Sequence, residues 1–220
     1  MLLPILEEIK RYTRAVQKKE IQCDLACCPR CGEPASFKLH DRRSRTYLVV
    51  AERVVNTVLS LLGRFKCGRC EETFTLYPPF ALPRKRYVRQ EVFCRAERYV
   101  EDDHESYRKA VKVDAMAVFH ESRGGEIDER SLAHTTLYRW LTSLGSLALT
   151  SRRALELVRQ KAPDSGVFRK ILPIAERKYR SEGRRRMLGD SRRVLVVERE
   201  FRTLFGLSIF PRLATTCAWQ

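Results

Sequence analysis

The sequence lacks a long hydrophobic run. None of its 220 residues lies in a stretch of uninterrupted apolar residues that reaches the ~20 needed for a membrane-spanning helix. The nearest candidate, Leu48 to Leu62, is interrupted by Glu52, Arg53 and Asn56. The N-terminal segment carries glutamates within its apolar part and has no basic leader, which is not typical of a secretory signal. We therefore expect a cytoplasmic protein without membrane contact, in a compartment where disulfides are rare.

Acidic residues and lysine are both scarce relative to arginine. The chain has 27 Asp plus Glu against 43 Lys plus Arg, a formal net charge of +16 and a pI near 9.8. Arginine supplies 32 of the basic residues and lysine 11, which favours planar, bidentate contacts to phosphates and guanine edges. This excess predicts a polyanionic partner. A hydrophobic content of 44% supports a folded core, so the chain is not a disordered basic tail.

The spacing of apolar residues in the first part of the chain changes from helical to alternating. An amphipathic helix is predicted within residues 1–22, from the helical period of Leu2, Ile5, Leu6, Ile9, Tyr12 and Val16. Alternation then predicts strands at Ser36–His40, Thr46–Ala51 and Val54–Phe65, with a basic turn at Asp41–Arg45. Prolines at positions 78, 79 and 83 mark a boundary.

Beyond this boundary the period is helical. A loop is predicted around Gly124 and Gly125, and a helix stop at Gly145. The predicted helices are Val88–Val100, His104–Phe119, Thr135–Leu144, Leu147–Gln160 and Ser191–Phe205. We therefore expect the second half to be all-helical.

Four of the eight cysteines fall in two C-x-x-C pairs. Cys28 and Cys31 form the first pair, and Cys67 and Cys70 form the second. Each such turn directs two thiolates at one point, and neighbouring basic residues favour the thiolate form. In a cytosolic chain, two pairs predict one structural zinc with four cysteine ligands and no open position for catalysis. The alternative is a redox role, but neither pair follows a βα unit.

The remaining cysteines do not have this spacing. Cys23, Cys27, His40 and Cys94 lie near the pairs in sequence and could supply a replacement ligand or a second metal, although buried free cysteine is common. Cys217 is isolated, and we expect it to pack in a core.

The cysteine pairs belong to a longer pattern within residues 23–87. It comprises a C-x-x-C-G knuckle, a His- and Arg-rich hairpin, a long strand ending in R-F-x-C, and then C-x-x-T-F. Its residues are Cys28, Cys31, Gly32, His40, Arg42, Arg43, Arg64, Phe65, Cys67, Cys70, Thr73 and Phe74. The pattern resembles the N-terminal zinc-binding domain of bacterial insertion-sequence transposases and related mobile-element proteins. The resemblance implies DNA binding, usually at transposon ends, and a zinc-ligand role for the four cysteines.

One predicted helix, Thr135–Leu144, has an apolar and a polar face. The apolar face holds Leu137, Trp140, Leu141 and Leu144. The polar face holds the candidate nucleic-acid contacts Thr136, Tyr138 and Arg139. The run TTLYRWL resembles the recognition helix of helix-turn-helix modules in transposases and recombinases, whose polar side enters the major groove. An ordinary amphipathic core helix would show the same leucines.

Three arginine-rich clusters complete the charge pattern. They are Arg42, Arg43 and Arg45; Arg84, Lys85, Arg86 and Arg89; and Arg184, Arg185 and Arg186, followed by Arg192 and Arg193. Each cluster alone would be an ordinary solvated face. Together with the net charge they predict a shared phosphate-binding surface.

Catalytic patterns are missing. A transposase would need a ribonuclease-H-like sheet whose acidic residues hold two metal ions, whereas the pattern after Pro83 is mostly helical. A Walker-type loop, a G-x-S-x-G elbow and an H-E-x-x-H pair are also absent from the sequence. The sequence therefore predicts a binding protein that is not an enzyme.

These observations predict an α+β fold, with a small β-rich zinc ribbon followed by an all-α, helix-turn-helix-like domain. The predicted divisions are the N-terminal helix (1–22), the ribbon (23–83), the helical domain (84–160) and a basic helical C-terminal region (161–220). We expect a bacterial, nucleoid-associated binder of double-stranded DNA in a mobile element, either a transposition accessory factor or a transposon-end or operator binder. A transposase or recombinase partner and a homodimer are compatible with this. The alternatives are an RNA-binding ribonucleoprotein subunit, a transcriptional repressor and a protein-docking scaffold.

Overall fold

The computed structural model describes residues 4–23, 25, 27–51, 54–102, 104–111, 116–120, 126–130, 133–170, 178, 181–206 and 208–210. Within them, the elements in chain order are α1 (Pro4–Gln17), β1 (Phe37–Ala51), β2 (Val54–Cys67), β3 (Thr73–Thr75), α2 (Arg89–Glu101), α3 (Tyr107–Val111), β4 (Met116–His120), β5 (Glu126–Arg130), α4 (His134–Gly145), α5 (Ala148–Lys161), α6 (Val167–Lys170) and α7 (Glu182–Phe205). The fold is α+β, as predicted. None of the helices in the described part of the chain is both long and apolar enough to span a membrane.

The chain forms two compact units. Unit 1 consists of Met1–Glu91, Asp114–Arg130 and Phe210–Gln220. Unit 2 consists of Val92–Val113 and Ser131–Ile209.

Strand β2 lies at the centre of the sheet of unit 1. It pairs antiparallel with β1 along almost its whole length, from Phe37 opposite Cys67 to Ala51 opposite Val54. On its other side, β2 pairs antiparallel with β3 near its C-terminal end and parallel with β4 near its N-terminal end, and β5 completes the sheet beside β4. Because the long hairpin sets Phe37 against Cys67, it brings the segments before β1 and after β2 to the same end.

Helix α1 covers one face of this hairpin. Ile9 of α1 is fully buried, and the ring of Phe80 makes edge-on contacts with Tyr12 at 5.6 Å and Tyr47 at 5.3 Å. The buried core between them comprises Leu6, Ile9, Tyr47, Val49, Val58, Leu62, Phe80, Ala81 and Val88. Burial of these apolar side chains fixes the hairpin, and therefore the position of its cysteine-bearing end.

Two sequence predictions of secondary structure were wrong, and so was the expectation that the second half would be all-helical, because it contains strands β4 and β5. The segment Asp41–Arg45 is not a turn, because it continues β1 as strand, with the register shifting in a β-bulge between Leu39 and Asp41. The predicted helix His104–Phe119 is only α3, and it is followed by strand β4, which pairs with β2. In that segment a partner strand, and not the local helical period, decided the structure.

Helix α7 is the central element of unit 2, with α4 and α5 packed against it. Ser191 of α7 donates its hydroxyl to the carbonyl of Leu141 in α4 at 2.7 Å. Gly145 lets the helices approach closely, because a Cβ there would lie 3.0 Å from the carbonyl oxygen of Met187. The buried residues of α7 are Leu188, Ser191, Val194, Leu195, Val196, Val197, Glu198 and Phe201.

Candidate metal centre and basic surfaces

The four predicted ligands come together at the open end of the β1–β2 hairpin. The Sγ atoms of Cys28, Cys31, Cys67 and Cys70 all lie within 4.8 Å of one another, and those of Cys28 and Cys70 are 3.8 Å apart. Cys28 and Cys67 are buried, Cys70 is half-buried and Cys31 is exposed. The cluster is therefore formed within the protein rather than on a loose surface loop.

The two C-x-x-C turns have the same local hydrogen bonds. The N–H of Arg30 donates to the Sγ of Cys28 at 3.3 Å, and the N–H of Arg69 donates to the Sγ of Cys67 at 3.3 Å. In both turns the first cysteine is thus held by the amide two residues later. These amides stabilise negative charge on sulfur, so the backbone is arranged for thiolates.

The residue that closes each turn has a positive φ. In the first turn it is Gly32, with φ 76°, whose N–H donates to the carbonyl of Cys28 at 2.9 Å. In the second turn it is Glu71, with φ 60°, whose N–H donates to the carbonyl of Cys67 at 3.1 Å. The two knuckles therefore share one backbone conformation, but the second places a glutamate where glycine is favoured.

The cysteine pKa values diverge within the cluster. The N–H of Cys70 lowers the pKa of Cys67 to about 7, whereas burial raises the pKa of Cys28. The N–H of Glu72 acts to lower the pKa of Cys70, but burial and the neighbouring thiols raise it to about 12. Four thiols this close cannot all ionise without a cation, because like charges oppose each other. A divalent metal would supply that charge.

The donor set and its spacing fit a tetrahedral metal ion. With metal–sulfur bonds of about 2.3 Å, the sulfurs of a tetrahedral site lie about 3.8 Å apart, which is the Cys28–Cys70 separation. Among the described residues, no second group of three or more His, Cys, Asp or Glu side chains is gathered closely enough to hold a metal. Cys94 lies exposed on α2 in unit 2, and Cys217 lies outside the described residues.

Two of the three arginine clusters meet in unit 1. The N–H of Leu48 donates to the carbonyl of Arg86 at 2.9 Å, and the N–H of Val88 donates to the carbonyl of Leu48 at 3.2 Å, so the second cluster runs beside β1. Arg45 of β1 also donates to the carbonyl of Lys85 at 3.0 Å. We call the resulting basic area the hairpin surface, and its members are Arg42, Arg43, Arg45, Arg84, Lys85, Arg86 and Arg89.

The side chains of the hairpin surface differ in whether they bond to other groups of the protein. Arg45 is held by the Lys85 carbonyl and lies 5.9 Å from the ring centroid of Tyr47, and Arg42 donates to the carbonyl of Gln17 at 3.0 Å. Other members are exposed, and their side chains have no hydrogen bond or ion pair within the described residues: Arg43, Arg84 and Arg86. These three are the cations most accessible to a ligand.

Helix α4 has the predicted division into two faces. Leu137, Trp140, Leu141 and Leu144 are buried, so Trp140 belongs to the core of unit 2. On the other face, Tyr138 and Arg139 are exposed and Thr136 is half-buried. The polar face is thus available to a ligand.

The third arginine cluster lies in the first turns of α7 and approaches this polar face. The Cζ of Arg184 lies 5.1 Å from the ring centroid of Tyr107, which in turn contacts the ring of Tyr138 edge-on at 6.3 Å. Arg185 pairs with Glu182 at 3.5 Å, whereas Arg186 is exposed. No local sequence pattern indicates a role for Tyr107, because Tyr138 and Arg184 lie far from it along the chain.

The helix-turn-helix interpretation of α4 stays a prediction. In the described chain, α3 ends at Val111 and α4 begins at His134, with β4 and β5 between them. The usual connecting turn of about three or four residues is therefore not formed by these two helices. The loop expected at Gly124 and Gly125 lies outside the described residues.

The fold and the site define an α+β protein with a four-cysteine cluster and arginine-rich surfaces. Comparison of the chain with protein-family models, with curated proteins and with solved structures found no match. Its function is therefore inferred from the residues of the site.

Proposed function

We propose that the four-cysteine cluster holds one structural zinc ion, which makes the N-terminal part of unit 1 a zinc ribbon. Four thiolates are a preferred donor set for zinc, and the spacing of the sulfurs supports tetrahedral coordination. With four cysteine ligands, no position remains for water or substrate. The metal then fastens the two knuckles to each other and has no catalytic role.

The function that we propose for the chain is DNA binding. The observation that carries it is the hairpin surface, where two arginine clusters that are distant in sequence lie along one strand. Gathering exposed cations along one strand costs electrostatic free energy, and a polyanion offsets that cost. Arg43, Arg84 and Arg86 have no acidic partner within the described residues, which leaves their guanidinium groups available for bidentate contacts with phosphates.

A role in a mobile genetic element accounts for the combination of features. The knuckle–hairpin–knuckle pattern resembles the zinc-binding domains of insertion-sequence transposases, and it coincides with the hairpin surface. We propose that the protein binds duplex DNA as an accessory factor of transposition or as a transposon-end or operator binder, in the bacterial nucleoid. A transposase or recombinase would then be its functional partner. The alternative is an RNA-binding subunit, since zinc ribbons and arginine clusters also bind structured RNA.

Competition binding at a fixed moderate ionic strength tests this function. The zinc-loaded full chain is bound to a labelled duplex, and unlabelled duplex or structured RNA of equal charge is titrated against it. We expect duplex DNA to displace the label at lower concentration than RNA. Preferential displacement by RNA would favour the alternative, and no binding to either would contradict nucleic-acid binding.

A matched pair of double variants assigns the binding to the hairpin surface. Arg43→Ala with Arg86→Ala removes two exposed cations from it, whereas Arg11→Ala with Arg152→Ala removes two exposed cations from α1 and α5. Both proteins lose the same net charge. We expect the first to bind duplex DNA at least about tenfold more weakly than the second, because only the first loses phosphate contacts.

A further inference from the structure

Three tyrosines from different elements form a connected column in unit 2. The rings of Tyr99 and Tyr107 are stacked, with centroids 4.3 Å apart and planes 7° apart. The ring of Tyr138, from α4, meets Tyr107 at 6.3 Å with an interplanar angle of 85°. Tyr99 is buried, Tyr107 is half-buried and Tyr138 is 47% exposed. The column therefore leads from the core of unit 2 to its surface.

A cation holds the column in place. Arg184 donates from Nη2 to the hydroxyl of Tyr99 at 3.2 Å, and its Cζ lies 5.1 Å from the ring centroid of Tyr107. Lys178 also contacts Tyr99, with its Nζ 4.4 Å from the ring centroid. These contacts connect Arg184 of α7, and Lys178 before it, to Tyr99 and Tyr107. They hold Tyr107 in place, and Tyr107 in turn supports the ring of Tyr138.

The edge-on contact leaves at least one face of the Tyr138 ring free of Tyr107. In a perpendicular pair, either the edge of Tyr138 touches the face of Tyr107 or the reverse. In both arrangements Tyr107 covers at most one face of the Tyr138 ring. Tyr138 has no other ring contact within the described residues, and nearly half of its surface is exposed. Its exposed part therefore offers aromatic surface to a flat ligand.

A groove with an exposed arginine lies further along α4. The groove has a volume of about 360 Å³ between α4 and the start of α7, and is lined by Thr142, Gly145, Ser146, Gly183, Arg186, Met187 and Asp190. Asp190 is paired with Arg193 at 2.8 Å, whereas Arg186 has no hydrogen bond or ion pair within the described residues. The groove therefore offers one uncompensated positive charge beside exposed hydroxyl groups.

The ring and the groove are connected along helix α4. Thr142 lies four residues after Tyr138 on the same side of α4, and its hydroxyl donates to the Tyr138 carbonyl at 3.0 Å. Four helical residues rise about 6 Å along the helix axis, so Tyr138 and this groove residue lie about one turn apart on α4. A strand that stacks one base on Tyr138 and continues along α4 would lead its backbone toward the groove that Arg186 lines.

We infer that this face of unit 2, the Tyr138 ring with the Arg186 groove, binds an unpaired DNA base and its adjacent phosphate. The inference rests on the proposed DNA-binding function and adds to it a contact with single-stranded DNA at an end or a distorted step. A base pair inside a duplex cannot present its face to Tyr138, because both of its faces are stacked on its neighbours. Aromatic stacking of this kind tolerates any base, so the contact recognises an unpaired structure and not a sequence.

Three labelled DNA molecules test this contact with the zinc-loaded full chain. They are a blunt duplex, the same duplex with a short unpaired thymine tail, and the same duplex with an abasic tail of equal length. The two tails have equal charge, so their affinity ratio reports base stacking alone. We expect the thymine tail to bind at least about fivefold more tightly than the abasic tail.

Substitutions show which side chains produce the difference in affinity between the thymine tail and the abasic tail. Tyr138→Ala should bring the affinity ratio to about one, and Tyr138→Trp should retain it because the larger ring also stacks. Arg186→Ala should weaken binding of both tailed molecules and leave the ratio in place. Leu149→Ala removes another exposed apolar side chain of unit 2, 78% exposed on α5, and should leave the ratio at the wild-type value.

Several outcomes overturn the inference. Equal affinity of the wild type for the two tails would do so, as would a ratio that survives in a folded Tyr138→Ala protein. In both cases binding of the blunt duplex would leave the proposed DNA-binding function in place. Failure to bind any of the three molecules would contradict that function as well. Thermal unfolding of each variant checks that unit 2 is intact.

Discussion

The Sγ atoms of Cys28 and Cys70 lie 3.8 Å apart although 42 positions separate them in sequence. The register of the β1–β2 hairpin produces this proximity, because it sets Phe37 opposite Cys67. The apolar core beneath the hairpin supports that register. The cysteine cluster is thus a consequence of strand pairing. The metal that we propose would bind both C-x-x-C turns and stabilise this end of the hairpin.

Loss of one ligand should remove the metal and loosen the knuckles. Cys28→Ser and Cys67→Ser each leave three thiolates, and a structural zinc site depends on all four. We expect zinc content to fall from about one per chain to near zero and the thermal stability of unit 1 to fall with it. Elemental analysis of dialysed protein measures the first, and a melting curve with and without chelator measures the second.

Cys94→Ser is the control, because Cys94 is exposed on α2 in unit 2. It should keep the wild-type zinc content. A wild-type protein purified without zinc, and insensitive to chelator, would argue against a zinc ribbon.

The second knuckle should be stabilised by glycine. Glu71 has φ 60°, a conformation that costs a residue with a side chain roughly 1–2 kcal/mol, whereas glycine adds about 0.5–1 kcal/mol of backbone entropy loss. Its ion pair with Lys66, 3.6 Å long and exposed, contributes little. Glu71→Gly should therefore raise the free energy of unfolding by about 0.5–1 kcal/mol, measured by urea denaturation of the metal-loaded protein.

The first knuckle provides the reciprocal test. Gly32→Ala places a Cβ at φ 76° and should destabilise by roughly 1–2 kcal/mol. Gly189→Ala, in open space on α7, should instead stabilise by up to about 1 kcal/mol. If Glu71→Gly destabilised the protein, the two knuckles would not share the backbone conformation described for them.

Neighbouring arginines of the hairpin surface should respond differently to substitution. Arg43→Ala removes an exposed cation without a protein partner within the described residues, so it should weaken DNA binding, reduce the salt slope by about one and leave stability unchanged. Arg45→Ala removes the bond to the Lys85 carbonyl and the contact with Tyr47, and should cost about 1 kcal/mol of stability. Salt-dependent binding and urea denaturation separate the two effects. Equal losses of stability would mean that Arg43 is also structural.

The stability of unit 2 should depend on the protonation of Glu198. Burial raises the pKa of this carboxyl from 4.5 to about 7, against the lowering effect of the N–H of Ile209 and the hydroxyl of Ser208. The folded state therefore binds the proton more tightly than the unfolded state. The contribution of this carboxyl to the free energy of unfolding is fully present below about pH 4.5 and is lost as the pH rises to about 7. The free energy of unfolding changes by about 3 kcal/mol over this range.

Glu198→Gln cannot titrate, so this part of the pH dependence should disappear. Glu156→Gln, on the exposed side of α5, should keep the wild-type profile. The measurement is the free energy of unfolding at a series of pH values for the three proteins. Identical profiles for wild type and Glu198→Gln would contradict the prediction.

Local sequence patterns predicted the elements that have a strong apolar period or that depend mainly on residues close in sequence. The apolar period placed α1, α2, α4 and α5 close to their observed bounds, and the C-x-x-C spacing identified the cysteine cluster. The helical stretch expected from Ser191 begins earlier, at Glu182, where Ser181 caps α7 by accepting from the N–H of Arg184. A serine at this position is a favourable N-cap, but the arginine run beside it suggested only a charged face.

Features that depend on distant partners could not be predicted from the sequence. The segment Asp41–Arg45, which contains three arginines, has turn-like composition, yet pairing with β2 makes it a strand. Met116–His120 looks helical by period, yet pairs with β2 as well. The contact between Arg45 and the Lys85 carbonyl, and that between Tyr107 and Tyr138, join residues that no sequence window contains together.

The salt dependence of duplex DNA binding by the zinc-loaded chain tests the central claim most directly. If the protein contacts about 6–10 phosphates, affinity should fall by roughly 10³–10⁵ between 50 and 200 mM salt. Arg43→Ala with Arg86→Ala should flatten the slope by about two. A failure to bind duplex DNA at low salt, or an affinity that does not change with salt, would contradict the proposal that this arginine-rich chain is a DNA-binding protein.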